Sequence, residues 1–306
     1  GISGPGYGGL YFWDSEIYML PYYLYTDPAK AKNLVLFRHR TLAQARKRAN
    51  WFGYAGAMYP WVTIDGNEVA GDWEFGMMEI HINAAVPYAV WHYVEATGDD
   101  GLLLEGGAEM VLECCRFWAD RVTWKPDRKQ YLINAVTGPD EYAVLVNNNC
   151  YTNVTAKWTL EYGVQLARQL SKQHPKEWGK LAKKVGLTDD DTRRWRDIAK
   201  KMFVPWDEPR GIHVQDDSFL DLDERLATDI PDRERRLMDN WPWERLMRTQ
   251  VLKQPDVLLL MFLLNDQFTA EQKQANYAFY EPRCIHDSSL SPCIHSIMSA
   301  EVGEDA

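Results

Sequence analysis

Apolar residues at helical spacing run through most of this chain, and that pattern constrains its fold more than any other feature. Asp27-Pro28 supplies a cap and a first-turn proline to a long segment running towards Asn50. Ile80 to Ala96 is apolar on nearly every face, as a buried helix is. Gly101 to Val122 continues after the loop Thr97-Gly98-Asp99-Asp100. Asn153 to Gln173 carries Val154, Trp158, Leu160, Val164 and Leu170 at helical intervals. Thr188 with Asp191 resembles a capping box ahead of Trp195–Phe203. Val257–Leu264 belongs to an apolar helix opening near Lys253, and a last helix includes Ile294–Val302. Strand signals are short, at Gln130–Asn134 and Ile212–Gln215. Helix pairs that repeat without a sequence repeat predict an all-α toroid rather than a solenoid. The connections Gly53–Asp72 and Pro205–Trp243 are long, and long ordered loops on a helical scaffold are usually functional.

Composition narrows the partners. The chain has 306 residues, 46% of them apolar, enough for a sizeable core. Its net charge is −10 with no dominant basic patch, which argues against nucleic acid. No apolar run approaches the roughly 18 residues of a membrane span. Gly1-Ile2-Ser3-Gly4 has neither a charged region nor an apolar one, so no signal peptide is expected. Five cysteines, an odd count with two adjacent, argue against a disulfide framework and for a reducing cytoplasm. Thirteen Trp and sixteen Tyr fit either a large aromatic core or faces that stack on sugars.

Thr137-Gly138-Pro139-Asp140-Glu141-Tyr142 holds the most chemistry. Gly-Pro forces a turn, and two carboxylates follow at once. A sugar-cleaving enzyme needs one carboxyl group held protonated to donate to a leaving oxygen. The plainer alternative is an exposed acidic turn with solvated carboxylates. Phe12-Trp13-Asp14-Ser15-Glu16 pairs an aromatic with a carboxylate, as a sugar pocket does, or else forms a helix start with Asp14 as cap and Glu16 favoured by the dipole. Gly4-Pro5-Gly6-Tyr7-Gly8-Gly9 matches a dinucleotide fingerprint by spacing, but no strand precedes it and no clear helix start follows. Cys284-x-His286 and Cys293-x-His295 can be drawn as four zinc ligands, yet structural zinc uses wider spacings, so no metal is expected. His286-Asp287-Ser288-Ser289-Leu290-Ser291-Pro292, just before the final helix, reads better as an anion cradle. Arg283 lies upstream, and Lys253 could approach from the Lys253-Gln254-Pro255-Asp256 turn. No Gly-x-Ser-x-Gly elbow occurs.

Seven segments stand in an order that resembles glycoside hydrolase family 65. They are Phe12 to Glu16, Gly56 to Trp61, Glu79-Ile80-His81-Ile82-Asn83, Val136 to Tyr142, Asn147-Asn148-Asn149-x-Tyr151-Thr152-Asn153, Lys253 to Val257, and Tyr280 to Pro292. The resemblance covers nearly the whole chain and implies an (α/α)6 barrel catalytic domain occupying 1–306. The family's N-terminal β-sandwich and C-terminal β domain are expected to lie outside 1–306, and the barrel is expected to be truncated at both ends. The family includes inverting α-glucosyl disaccharide phosphorylases acting on maltose, trehalose, kojibiose and nigerose. The resemblance implies phosphorolysis to β-glucose 1-phosphate, with Glu141 as general acid and Asp140 at a variable position. It places Trp13, Asp14, Lys253 and Gln254 in the donor-glucose pocket, and His286, Ser288 and Ser289 on phosphate. Phosphate replaces the second carboxylate of an inverting hydrolase, so no cofactor is implied beyond inorganic phosphate as co-substrate. Asp287, the one carboxylate near the cradle, keeps hydrolysis as an alternative and is expected to orient His286 or point away. A non-catalytic sugar-binding fragment is the other alternative. Pro60 to Thr63 and Trp241 to Arg245 look closest to the maltose and nigerose branch. The implied partners are an α-glucosyl disaccharide and phosphate, with no nucleic acid and no membrane; a homodimer is left open.

Overall fold

The computed structural model describes residues 7–71 and 74–304. The start of the glycine-rich loop, Gly4 to Gly6, and Asp72 at the end of the first long connection lie outside the described residues. The chain forms two compact units, Gly1–Tyr131 with Thr155–Met202, and Leu132–Val154 with Phe203–Ala306.

The first unit holds α1 (Leu20–Thr26), α2 (Pro28–Arg40), α3 (Leu42–Trp51), α4 (Ile82–Thr97), α5 (Ala108–Arg121), most of α6 (Cys150–Gln173), α7 (Pro175–Val185) and α8 (Asp189–Lys201). Asp27 caps α2 through the N–H of Lys30, with Pro28 in the first turn. The expected continuous helix towards Asn50 breaks at Thr41, whose hydroxyl donates to the carbonyls of Phe37 and Arg38. A β-branched hydroxyl that bonds back to the preceding turn competes with the helix ladder. The segment from Gly101 is also broken. A π turn, Leu103–Gly107, precedes α5, and Gly106 sits at φ 141°. A Cβ there would come within 2.4 Å of the His39 ring, so only glycine lets α2 approach this closely. The capping box is present: the Asp191 N–H donates to Thr188 Oγ1, and the Thr188 N–H donates to Asp191 Oδ2. Trp118 and Trp195 are among the largest fully buried side chains of this unit.

The second unit holds α9 (Leu237–Asn240), α10 (Trp243–Leu246), α11 (Val257–Leu263), α12 (Ala270–Tyr280) and α13 (Ser291–Val302). The last three pack against one another in each pairing. The strand expected from Ile212 shortens to Ile212–His213, paired antiparallel with Trp206–Asp207; that expected from Gln130 shortens to Gln130–Leu132. Helix α11 opens at Val257 rather than near Lys253, because Pro255 pushes the residue before it out of the helical region. That leaves Leu252 free to bridge in parallel to Cys284. A core cluster of Tyr142, Ile230, Leu237, Trp241, Leu246, Val251 and Ile285 underlies the acidic turn. Among the described residues, no helix is long and apolar enough to cross a membrane. The five cysteines are free thiols, Cys293 alone among them being exposed.

Candidate active site

The acidic turn is not a solvated surface loop. Its arms close as an antiparallel bridge between Val136 and Val146. Gly138 runs against other side chains: a Cβ would lie 2.4 Å from Asn149 Nδ2 and 2.5 Å from Asp256 Oδ2. Pro139 O accepts from Gln254 Nε2 at 2.5 Å. Asp140 is buried at 1% exposure. Its Oδ1 accepts from the N–H groups of Lys253 at 2.9 Å and Tyr142 at 3.3 Å, and its Oδ2 from Gln215 Nε2 at 3.0 Å. Asp140 is therefore the brace of the turn.

Glu141 points elsewhere. Its Oε2 meets Lys253 Nζ at 2.5 Å, and the two side chains are 16% and 14% exposed. They are the accessible ionic pair of the turn, where Asp140 is sealed. Tyr142 is buried in the core cluster, and its hydroxyl donates to Asp287 Oδ2 at 2.6 Å. Asp287 also accepts from the backbone N–H groups of Arg236 at 3.2 Å and Leu237 at 2.8 Å. Its carboxylate is thus engaged by Tyr142 and the 236–237 backbone, and His286 is oriented by another group.

That group is Ser291, whose Oγ lies 2.8 Å from His286 Nδ1. His286 sits at φ 56°, a left-handed conformation that a non-glycine residue adopts only when its surroundings hold it. Contacts with Cys284 and Glu281 push its imidazole up to about 10, so the ring carries charge at neutral pH. Burial opposes ionisation of Cys284, but His286 and His295 outweigh it and pull the thiol down to about 6. Ser288 Oγ accepts from the Leu290 N–H at 3.3 Å, and Ser289 is exposed at the entrance to α13.

Two buried residues complete the underside of the turn. Asp256 Oδ2 accepts from Asn149 Nδ2 at 2.9 Å and, more weakly, from the Asp140 N–H at 3.5 Å; its Oδ1 has no partner. Burial pushes Asp140 up to about 7 and Asp256 up to about 8, the Asp140 charge adding to the rise at Asp256. Asp140 has three N–H donors and Asp256 only one good one, so the neutral-pH proton belongs on Asp256. Asn149 and Asp256 stand inside sequence segments singled out above, but nothing in their spacing announced this contact across more than a hundred residues.

The structure therefore joins the turn to Lys253, Gln254 and the segment beginning at Cys284 within one unit. Trp13 and Asp14 belong to the other unit. Trp13 is buried, edge-on to His81 at 4.8 Å between ring centroids. Asp14 makes no side-chain cap bond to the turn Ser15–Met19. The segment is nonetheless a helix start, with Asp14 at the N-cap position and Glu16 in the first turn, where Glu16 is buried in an ion pair with Arg38 at 2.7 Å.

The description of the glycosyl hydrolase family 65 central catalytic domain matches residues 1–306. The chain belongs to glycosyl hydrolase family 65. It is 45% identical over 304 residues to an alpha,alpha-trehalose phosphorylase of Thermoanaerobacter brockii, a match that covers 99% of this chain and 39% of that protein. A maltose phosphorylase of Bacillus subtilis (strain 168) is 41% identical over 303 residues, again 99% of this chain and 39% of the relative. A solved structure from the human microbiome, assigned as a kojibiose phosphorylase, superimposes at a TM-score of 0.91 with 36% identity, covering 98% of this chain and 41% of that one. The fold class of this family 65 catalytic domain is all-α, of the (α/α)6-barrel type. It spans about two-fifths of the length of the curated relatives it matches.

Proposed function

We propose that this family 65 domain catalyses inverting phosphorolysis of an α-linked glucosyl disaccharide, giving β-glucose 1-phosphate and a free sugar. The observation that carries the reading is the division of labour in the site. Glu141 is the accessible carboxyl of the turn, while Asp140 and Asp287 are both engaged in holding backbone. An inverting hydrolase needs a second carboxylate as base; a phosphorylase needs a cationic place for a nucleophile that is already an anion. The charged His286, with Ser288 and Ser289 beside it, suits the second requirement.

In the proposed reaction a phosphate oxygen bonds to the anomeric carbon as the glycosidic C–O bond breaks on the opposite face. The proton of Glu141 goes to the departing oxygen, and Glu141 is left as a carboxylate to be reprotonated. Lys253 leaves Glu141 for a glucosyl hydroxyl when substrate arrives, with Gln254 beside it on the donor sugar. The relatives' names place trehalose, maltose, kojibiose and nigerose among the candidate substrates. A maltose- or nigerose-like linkage is the preferred one, and a cytoplasmic setting suits the free thiols.

The test is release of free sugar from maltose, nigerose, kojibiose and trehalose by the purified protein, with and without phosphate. One disaccharide is expected to be cleaved only with phosphate. Equal glucose release without it would establish hydrolysis and remove the reading.

A further inference from the structure

A second constellation shares His286 with the proposed phosphate segment, and its other members, Cys284 and His295, are not needed for the chemistry above. The ligand atoms of Cys284, His286 and His295 all lie within 4.8 Å of one another. Cys284 Sγ is 3.7 Å from His286 Nδ1, and the His286 and His295 rings are 4.7 Å apart at 81°. Glu281 holds the two rings: Oε2 contacts His295 Nδ1, and Oε1 is 3.8 Å from His286 Nε2. Two backbone elements supply the three donors: the segment Cys284 to His286, bridged at Cys284, and α13 for His295. Cys284 and His295 are buried at 3% and 4% exposure, while the His286 side chain is 33% exposed. The cluster is thus closed on the protein side and reachable from His286.

The separations can be compared with a metal's own dimensions. Zinc bonds of about 2.3 Å to sulfur and about 2.0 Å to nitrogen, at a tetrahedral angle, put the two ligand atoms about 3.5 Å apart. The Cys284–His286 separation needs a shift of only a few tenths of an ångström to meet that. Cys293, drawn from the sequence as a fourth ligand, is not part of the cluster: it donates to the Leu290 carbonyl. Two imidazoles and one thiolate, with one position open, are a donor set for a borderline-soft divalent ion rather than for calcium or magnesium.

We infer that Cys284, His286 and His295 form a binding site for one zinc-like divalent cation, which takes His286 away from the phosphate segment. Binding displaces Ser291 Oγ from His286 Nδ1, and the extra proton of the charged His286, with any extra proton on His295 and any proton still on the thiol of Cys284, is released to solvent. The consequence for phosphate rests on the function proposed above; the binding itself does not.

The test is cobalt(II) titration of the purified protein, following the thiolate-to-cobalt charge-transfer absorption, with zinc(II) added to displace it. One equivalent per chain is expected to develop the band. Cys284→Ser is expected to remove it, and His295→Gln to weaken binding by roughly 10–100-fold. Cys293→Ser is expected to leave it intact, with far-ultraviolet circular dichroism checking that each variant is folded. No band in the parent protein, or a band lost in Cys293→Ser and kept in Cys284→Ser, would overturn the site. Zinc is further expected to raise KM for phosphate in the parent and not in Cys284→Ser. A cobalt band with unchanged phosphate KM would keep the metal site and remove His286 from phosphate binding instead.

Discussion

At the scale of single residues, three neighbouring carboxyl groups have been given different work by their surroundings. Asp140 is sealed and braced, Glu141 is paired with Lys253 at a partly open position, and Asp287 is tied to Tyr142. Glu141→Gln keeps the size and a carbonyl for Lys253 but cannot give up a proton. It is expected to lower kcat by about 10²–10⁴-fold with an unchanged melting temperature. Steady-state kinetics beside a thermal melt check this. Asp256 offers a separate test through pH. Burial raises it to about 8 in the folded chain, above the ordinary carboxylate value. Its stabilising contribution is thus complete only below the ordinary carboxylate value of about 4 and is lost as pH rises from there through the folded value. The melting temperature of the parent is expected to fall by several degrees from pH 5 to pH 9. Asp256→Asn, a permanent neutral mimic, is expected to flatten that slope; a slope unaltered by the substitution would place the proton elsewhere.

At the scale of elements, the site depends on lashings between loops that the helices hold at a distance in sequence. The turn at Val136–Val146, the Lys253-Gln254 segment and the Cys284–Ser289 segment meet through the Asp140, Gln254, Leu252 and Tyr142 contacts. Tyr142→Phe preserves the packing of the core cluster and removes the bond to Asp287. It is expected to cost about 1–2 kcal/mol in urea unfolding and to raise KM for phosphate more than KM for the disaccharide. Gly138→Ala drives a methyl into Asn149 and Asp256, and is expected to cost about 1–3 kcal/mol with reduced kcat. The helices were legible because apolar periodicity and caps are local signals, as at Asp27-Pro28 and Thr188. The breaks at Thr41 and Gly106 were not, since they answer to a hydroxyl bonding back along its own helix and to the His39 ring across a helix contact. The site divides the same way. Glu141 could be proposed from its turn, and His286 from its place before a helix. Asp256 and Glu281 could not, because their partners Asn149 and His295 are fixed by packing rather than by spacing.

At the scale of the whole molecule, the catalytic domain spans about two-fifths of the relatives it matches. The turn that carries the proposed proton donor and the segment proposed to bind phosphate lie in one compact unit. The account therefore makes its strongest claim about the identity of the nucleophile. Lys253→Met, which leaves Glu141 without its ammonium, is expected to raise KM for the disaccharide several-fold while leaving the phosphate requirement intact, as substrate-panel kinetics would show. The most direct measurement is the anomeric configuration of the phosphorylated product, followed by phosphorus and proton magnetic resonance in the first turnovers with an α-glucosyl disaccharide and phosphate. The account requires β-glucose 1-phosphate as the first sugar phosphate formed. α-Glucose 1-phosphate, or free glucose appearing ahead of any sugar phosphate, would contradict it.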